Sequence, residues 1–281
     1  AYALWQWEKR CPTAILPVDM FRNRSLAALF TLAVLGGFTM FSLLFYAPLL
    51  FQGGFGMSPK EAGLVITPLV VFITIGSIVN GRIVTRVKNP NAMLSVGFTL
   101  LAVACVGVVI STHTMPRAIL MTFMLMGGLG LGFVMPNLTV FAQLAAGRAH
   151  LGIATALLQS LRMIGGMLGT ALTGTLISHL YASGVHLALD KAGATRWLPD
   201  LSDPQILINR EGQATLLSQL ATAGHNGAML LESARESLVA AIHIGVAMAA
   251  VIAVLSVWQA RRVPPVHLKK GAKVEPAVMA E

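Results

Sequence analysis

Arg162 stands in the middle of residues 151–178, a stretch of mostly Gly, Ala and Leu long enough to cross a bilayer, and Gly165, Gly166 and Gly169 follow it. An arginine stays charged at every accessible pH. At the centre of a membrane helix it costs roughly 2.5–3.5 kcal/mol on insertion scales. It lies about 11 residues into the stretch, roughly 16 Å at 1.5 Å per residue, which is deep for a side chain that merely snorkels to the surface. The chemistry expected of Arg162 is that of a polar group on an aqueous path or gate, with neighbouring helices supplying water or an acceptor. Asn137, Gln143, Gln159 and Ser160 also interrupt apolar stretches. Asn137 follows Pro136, whose missing N–H frees a backbone carbonyl. Each of these residues fits either a cavity wall or a helix–helix hydrogen bond. Phe38, Phe41, Phe45 and Tyr46 recur at helical spacing. Such a stripe serves packing, lipid contact or the wall of an apolar binding site, and Phe45 is the candidate for the last.

Other chemistries lack their residues. No Asp or Glu falls in the middle of an apolar stretch, and His113, His179 and His243 have no carboxylate fixed beside them, so they read as structural and not as a proton relay. There is no G-x-S-x-G elbow and no H-E-x-x-H pair, which argues against an embedded hydrolase or metalloprotease. Cys11 and Cys105 are the only cysteines, one in a polar loop and one in an apolar run, so neither a disulfide framework nor a metal site is expected. Gly128 with Gly132, and Gly165 with Gly169, have the spacing that lets membrane helices approach closely. A nucleotide loop would need a preceding strand, and none is indicated. No cofactor is expected.

Composition says what must position these residues. The chain is 56% hydrophobic and 11% charged, against about 25% charged in soluble domains, so it reads as an all-α polytopic membrane protein. About 20 apolar residues suffice for one span. Five spans fall at about 26–52, 59–80, 92–111, 118–144 and 151–181, and a sixth at 236–260. Residues 1–25 read as a cytoplasmic loop, 182–235 as an extracytoplasmic loop and 261–281 as a cytoplasmic tail. Gly53, Gly54 and Gly56 read as a short turn after the first span. Ser58, Pro59 and Glu61 form a capping box opening the second, and Ser233 with Glu236 have the same spacing before the sixth. Ser202 and Pro204 mark the start of a short surface helix. The net charge of +9 would suggest nucleic acid in a soluble protein. Here thirteen of the twenty Lys and Arg fall in the N-terminal segment, two alternate connections and the tail. The positive-inside rule accounts for that bias, places both termini in the cytoplasm and leaves no need for a nucleic-acid partner.

The order of "LPVDMFRNRS", "FYAPLLFQ", "MSPKEAGLVITP", "GRIVTR", "GGLGLGFVMP" and "QSLRMIGGMLGTALTG" resembles the C-terminal half of a major facilitator superfamily exporter, in the branch of fourteen-helix drug:proton antiporters. The resemblance covers residues 16–181 closely. It implies two inverted three-helix repeats facing a missing N-terminal half across a central cavity. It also implies proton-driven efflux of small amphipathic compounds by alternating access, in a bacterial inner membrane, without a cofactor. Gly81, Arg82 and Arg86 resemble the cytoplasmic loop motif that braces the two halves, with Thr85 at its usual acidic position and Lys88 at its later glycine. Arg162 and its three glycines resemble the antiporter motif helix, and the coupling carboxylate is implied to lie in the other half. The open alternatives are a carrier of another small solute, a channel and a non-transporting membrane subunit. A chain opening on Ala1 reads as the later part of something longer.

Overall fold

The computed structural model describes residues 20, 23–84, 86, 91–223 and 226–263. All regular structure among them is helical. The α-helices are α1 (Arg24–Leu49), α2 (Pro59–Ile83), α3 (Asn91–Val109), α4 (Arg117–Ala146), α5 (Leu151–Lys191), α6 (Leu198–Leu201), α7 (Arg210–Thr222) and α8 (Gly227–Arg262). Six helices, α1 to α5 and α8, are long and apolar enough to cross a membrane. Most of the 1–25 segment lies outside the described residues, as do Cys11, Thr85, Lys88 and the tail beyond Val263.

The start of α2 follows its local sequence. The Ser58 hydroxyl accepts from the Glu61 amide (3.3 Å), and the Glu61 carboxylate accepts from the Ser58 amide (2.9 Å). The same carboxylate meets the Arg117 guanidinium at 2.6 Å, joining the starts of α2 and α4. Both partners are well exposed to solvent, so this pair orients more than it stabilises.

Three expectations need correction. The first span does not end in a glycine turn. Pro48 lacks the N–H for an i→i−4 bond, and α1 continues as a π-helical turn, Leu50–Gly54, closed by the Phe55 amide on the Leu50 carbonyl (2.8 Å). Gly53 and Gly54 lie under α8: a Cβ on either would stand 2.8 Å from Leu238 or 2.7 Å from Val239. The turn is left to Gly56, at φ +65°. Next, α5 runs to Lys191, past its expected end at 181, and α8 starts at Gly227, before 236. The cap of α8 is Asn226, which accepts from the Met229 amide (3.2 Å), and Ser233 lies inside the helix. Both extensions are half-polar because each buries one face only. Tyr181, Val185 and Leu189 are buried on α5, Leu230, Leu231 and Ala234 on α8, and Gly184 abuts Ser237 where the two helices meet. Finally, the turn after Ser202 is a 3-10 turn, Pro204–Leu207, capped by Asp203, which accepts from the Gln205 amide (2.9 Å).

The packing has an internal symmetry. Helix α1 lies along α5 as α4 lies along α2; α8 lies on α1 as α3 lies on α4; α1 meets α4 and α3 meets α8. Exchanging the triplet α1, α2, α3 for α4, α5, α8 maps these contacts onto one another, the pattern of an inverted repeat, while the packing of α5 on α8 has no comparable counterpart between α2 and α3. The middle members of the triplets are the least buried: 22% of the most apolar window in α2 and in α5, against 44–56% in the other spans.

Candidate functional site

The site is built on the crossing of α1 and α5. A Cβ on Gly37 would collide with the Arg162 carbonyl, and one on Gly165 with the Val34 carbonyl. One on Gly169 would stand 2.5 Å from the Phe38 carbonyl. The two backbones therefore touch over about two turns, which only small residues permit. Gly166 leaves room for the Phe41 ring, 2.5 Å from where its Cβ would be. The crossing of α2 and α4 repeats the device. A Cβ on Gly128 would meet the Leu69 carbonyl, and one on Gly132 would stand 2.6 Å from the Ile73 carbonyl.

This contact fixes the backbone of Arg162. Its side chain is half-buried, and Nη1 donates to the Met135 sulfur on α4. A thioether is a weak acceptor, and a guanidinium has five N–H donors. Among the described residues no carboxylate forms an ion pair with Arg162. A permanent cation is thus held by its main chain, with most of its donors unbonded among the described residues.

Beside it, α1 and α5 enclose a cleft of about 550 Å³. Phe41, Phe45 and Tyr46 form one wall and Met163 and Met167 the other; Gln52, Gln205 and Ile208 line it as well. The Phe41 and Phe45 rings stack with centroids 6.1 Å apart and planes at 16°. The Tyr46 hydroxyl donates to the Thr170 carbonyl (2.6 Å) and ties the walls together. Among the described residues no charged side chain lines the cleft, and Phe45 is 56% exposed. Aromatic faces and flexible thioethers suit apolar ligands of varied shape. Arg162 is not itself a lining residue; it precedes Met163 on an adjoining face of α5. The reading from sequence missed both methionines, although their i, i+4 spacing around the glycines was visible. It also missed Gln205 and Ile208, which come from a distant connection.

The other expected residues lie elsewhere. Asn137 is buried and exchanges two hydrogen bonds with Asn80 on α2 (3.1 and 2.8 Å), so it joins helices and does not line the cleft. Gln143 donates to the Thr155 hydroxyl (2.8 Å), linking α4 to α5. Gln159 is exposed one turn before Arg162. Gly81, Arg82 and Arg86 are exposed at the end of α2, and nothing stands within 4 Å of a Cβ on Gly81. His113 and His243 share a second pocket, of about 320 Å³, with Glu232, Arg235 and Glu236, because Glu236 and His243 are seven residues apart on one face of α8. The amide pair gives a prediction. Asn137→Ala strands the buried Asn80 amide and costs about 1–3 kcal/mol. Asn80→Ala with Asn137→Ala costs less than the sum of the singles. Thermal melts of the purified variants read this out, and strict additivity would show that the two amides are not coupled.

Comparison with known proteins places this geometry. The sequence profile of the Major Facilitator Superfamily matches residues 8–170. The chain is similar to a multidrug transporter protein of Bacillus subtilis (28% identity, covering 61% of this chain and 31% of that one). It is similar to a tetracenomycin C resistance and export protein of Streptomyces glaucescens (33%, covering 61% and 32%) and to a methylenomycin A resistance protein of Bacillus subtilis (30%, covering 76% and 43%). The chain thus spans well under half the length of these relatives. Its fold is similar to the crystal structure of a bacterial homologue of the human lysosomal transporter Spinster, solved inward-facing and unoccupied, with a TM-score of 0.53 and 17% identity, covering 89% of this chain and 51% of that one. With more than half of its residues matched by the family profile and six long helices folded in the same way, the chain belongs to the Major Facilitator Superfamily.

Proposed function

We propose that this chain is the C-terminal half of a proton-coupled exporter of small amphipathic compounds that works by alternating access. The observation that carries the reading is the cleft of stacked aromatics and methionines beside an arginine that has no carboxylate partner among the described residues. The cleft suits an apolar body and Arg162 a wet path. The relatives named for multidrug transport, resistance and export point the same way. The exposed faces of α2 and α5 are the natural seat of an N-terminal half, which also supplies the coupling carboxylate. Rocking of the halves then exposes the cleft to each side in turn. The bias of Lys and Arg supports cytoplasmic termini, and the resemblance to bacterial export proteins supports a bacterial inner membrane. The proton gradient is the energy source and no cofactor takes part.

The test uses everted vesicles holding the complete transporter. An amphipathic fluorescent dye is expected to accumulate in an acidic lumen, to saturate with concentration and to leak out when a protonophore is added. Vesicles holding this chain alone are expected to accumulate none. Non-saturating flux would favour a channel, and accumulation indifferent to the pH gradient would favour a carrier of another kind.

A further inference from the structure

One end of the α1–α5 cleft is lined by two side chains to which no role has been given. Gln52 belongs to the π-helical turn Leu50–Gly54, and Gln205 to the 3-10 turn Pro204–Leu207 in the α5–α8 connection. Gln52 is half-buried and Gln205 exposed, and neither side-chain amide is bonded to a described residue. The other polar groups of the lining are occupied. Tyr46 Oη donates to the Thr170 carbonyl (2.6 Å), and Thr170 Oγ1 donates to the Gly166 carbonyl (3.0 Å). The two glutamine amides are therefore the free hydrogen-bonding capacity of an otherwise apolar wall.

Both are held in place. The π turn and the 3-10 turn pack on each other, and a Cβ on Gly53 would stand 3.7 Å from Ile208. Asp203 caps the 3-10 turn, Leu207 is buried beneath it, and Gln213 Nε2 donates to the Ile206 carbonyl (3.0 Å). The connection is anchored to α5 where the buried Tyr181 hydroxyl donates to the Leu201 carbonyl (2.7 Å). A π turn inserts one residue into the helical repeat and redirects the side chains around it, a device common at functional sites. Phe41 and Gln52 are separated by roughly 16 Å of α1 at 1.5 Å per residue. The cleft is thus apolar at one end and amide at the other, the polarity of an elongated amphiphile.

We propose that Gln52 and Gln205 together hydrogen-bond the polar end of the transported compound, and that this end is an uncharged donor–acceptor group. Among the described residues no charge lines the cleft to neutralise an ammonium or a carboxylate, and an unpaired charge in an apolar site is costly. An amide offers two donors and two acceptor lone pairs, so the pair reads hydrogen-bonding capacity and not net charge. The proposal rests on the export reading above.

Two dansyl sulfonamides differing in one N–H test it in vesicles of the complete transporter: the n-butylamide and the N-methyl-n-butylamide. Gln205→Leu and Gln52→Leu are each expected to raise KM for the N–H probe about tenfold and to leave the N-methyl probe within about twofold. Phe45→Ala is expected to raise KM for both. Gln205→Ala, at an exposed position, repeats the test without adding apolar bulk. Equal shifts for both probes, or no shift for either, overturn the amide assignment while leaving export intact. Absence of transport of either probe by the wild type overturns the export reading itself, and this assignment with it.

Discussion

Arg162→Ala is expected to lower dye efflux by the complete transporter at least about 100-fold, with the protein still accumulating in the membrane. The size follows from removing one positioned charge in a low-dielectric site, worth about 3 kcal/mol at 1.36 kcal/mol per tenfold. Folding should survive because little of the bundle rests on this side chain. Its hydrogen bond goes to a sulfur, no carboxylate among the described residues depends on it, and its backbone is gripped by Gly37. Losing a membrane-embedded cation also removes an insertion cost. Arg162→Met keeps the stem and loses the charge, so it should match or exceed the wild type in melting temperature and still fail to export. Arg162→Lys keeps the charge and loses the planar fork, and should retain partial activity if charge matters more than directed hydrogen bonds. Efflux at the wild-type rate from the methionine variant would refute the role. A fall in melting temperature together with efflux would show that the residue holds α5 to α4 instead.

What was legible in the sequence divides along physical lines. Six apolar helices could be read because each is long enough to dominate its window, and the α2 start because its cap is a local motif. The ends of α5 and α8 could not. Past Tyr181 the helix buries one residue per turn, and the polar residues between them look like a loop until α8 is placed against that face. The π turn had a local hint in Pro48, but its glycines were read as a short turn when their smallness serves contact with Leu238 and Val239. Arg162 stood out through its cost, and Phe45 through helical spacing. Asn137 looked equally suited to a cavity because its partner Asn80 is 57 positions away. Gln205 and Ile208 reach the cleft from the α5–α8 connection, a proximity that no periodicity encodes.

The second large effect is expected at Gly165. Leucine there should abolish folded protein in detergent extracts, and alanine should be nearly as damaging. The reason is geometric. On a lipid-facing helix surface alanine in place of glycine raises helix propensity by about 1 kcal/mol. At Gly165 the first carbon of any side chain meets the Val34 carbonyl, which is backbone and cannot rotate away. The helices must give way before that carbon fits. Separation would break the Ser42–Thr173 contact (3.1 Å) and the Tyr46–Thr170 bond (2.6 Å), and would open the cleft they frame. Overpacking a flexible core costs about 1–3 kcal/mol, and here the obstacle is rigid. Gly152 is the control, since nothing stands within 4 Å of a Cβ at that position near the start of the same helix. Gly152→Leu should express and melt as the wild type does. Gly128→Leu, at the matching crossing of α2 and α4, should fail as Gly165→Leu does, because its Cβ meets the Leu69 carbonyl. Normal melting and transport by Gly165→Ala would mean that α1 and α5 do not touch, and the cleft would lose the wall that defines it.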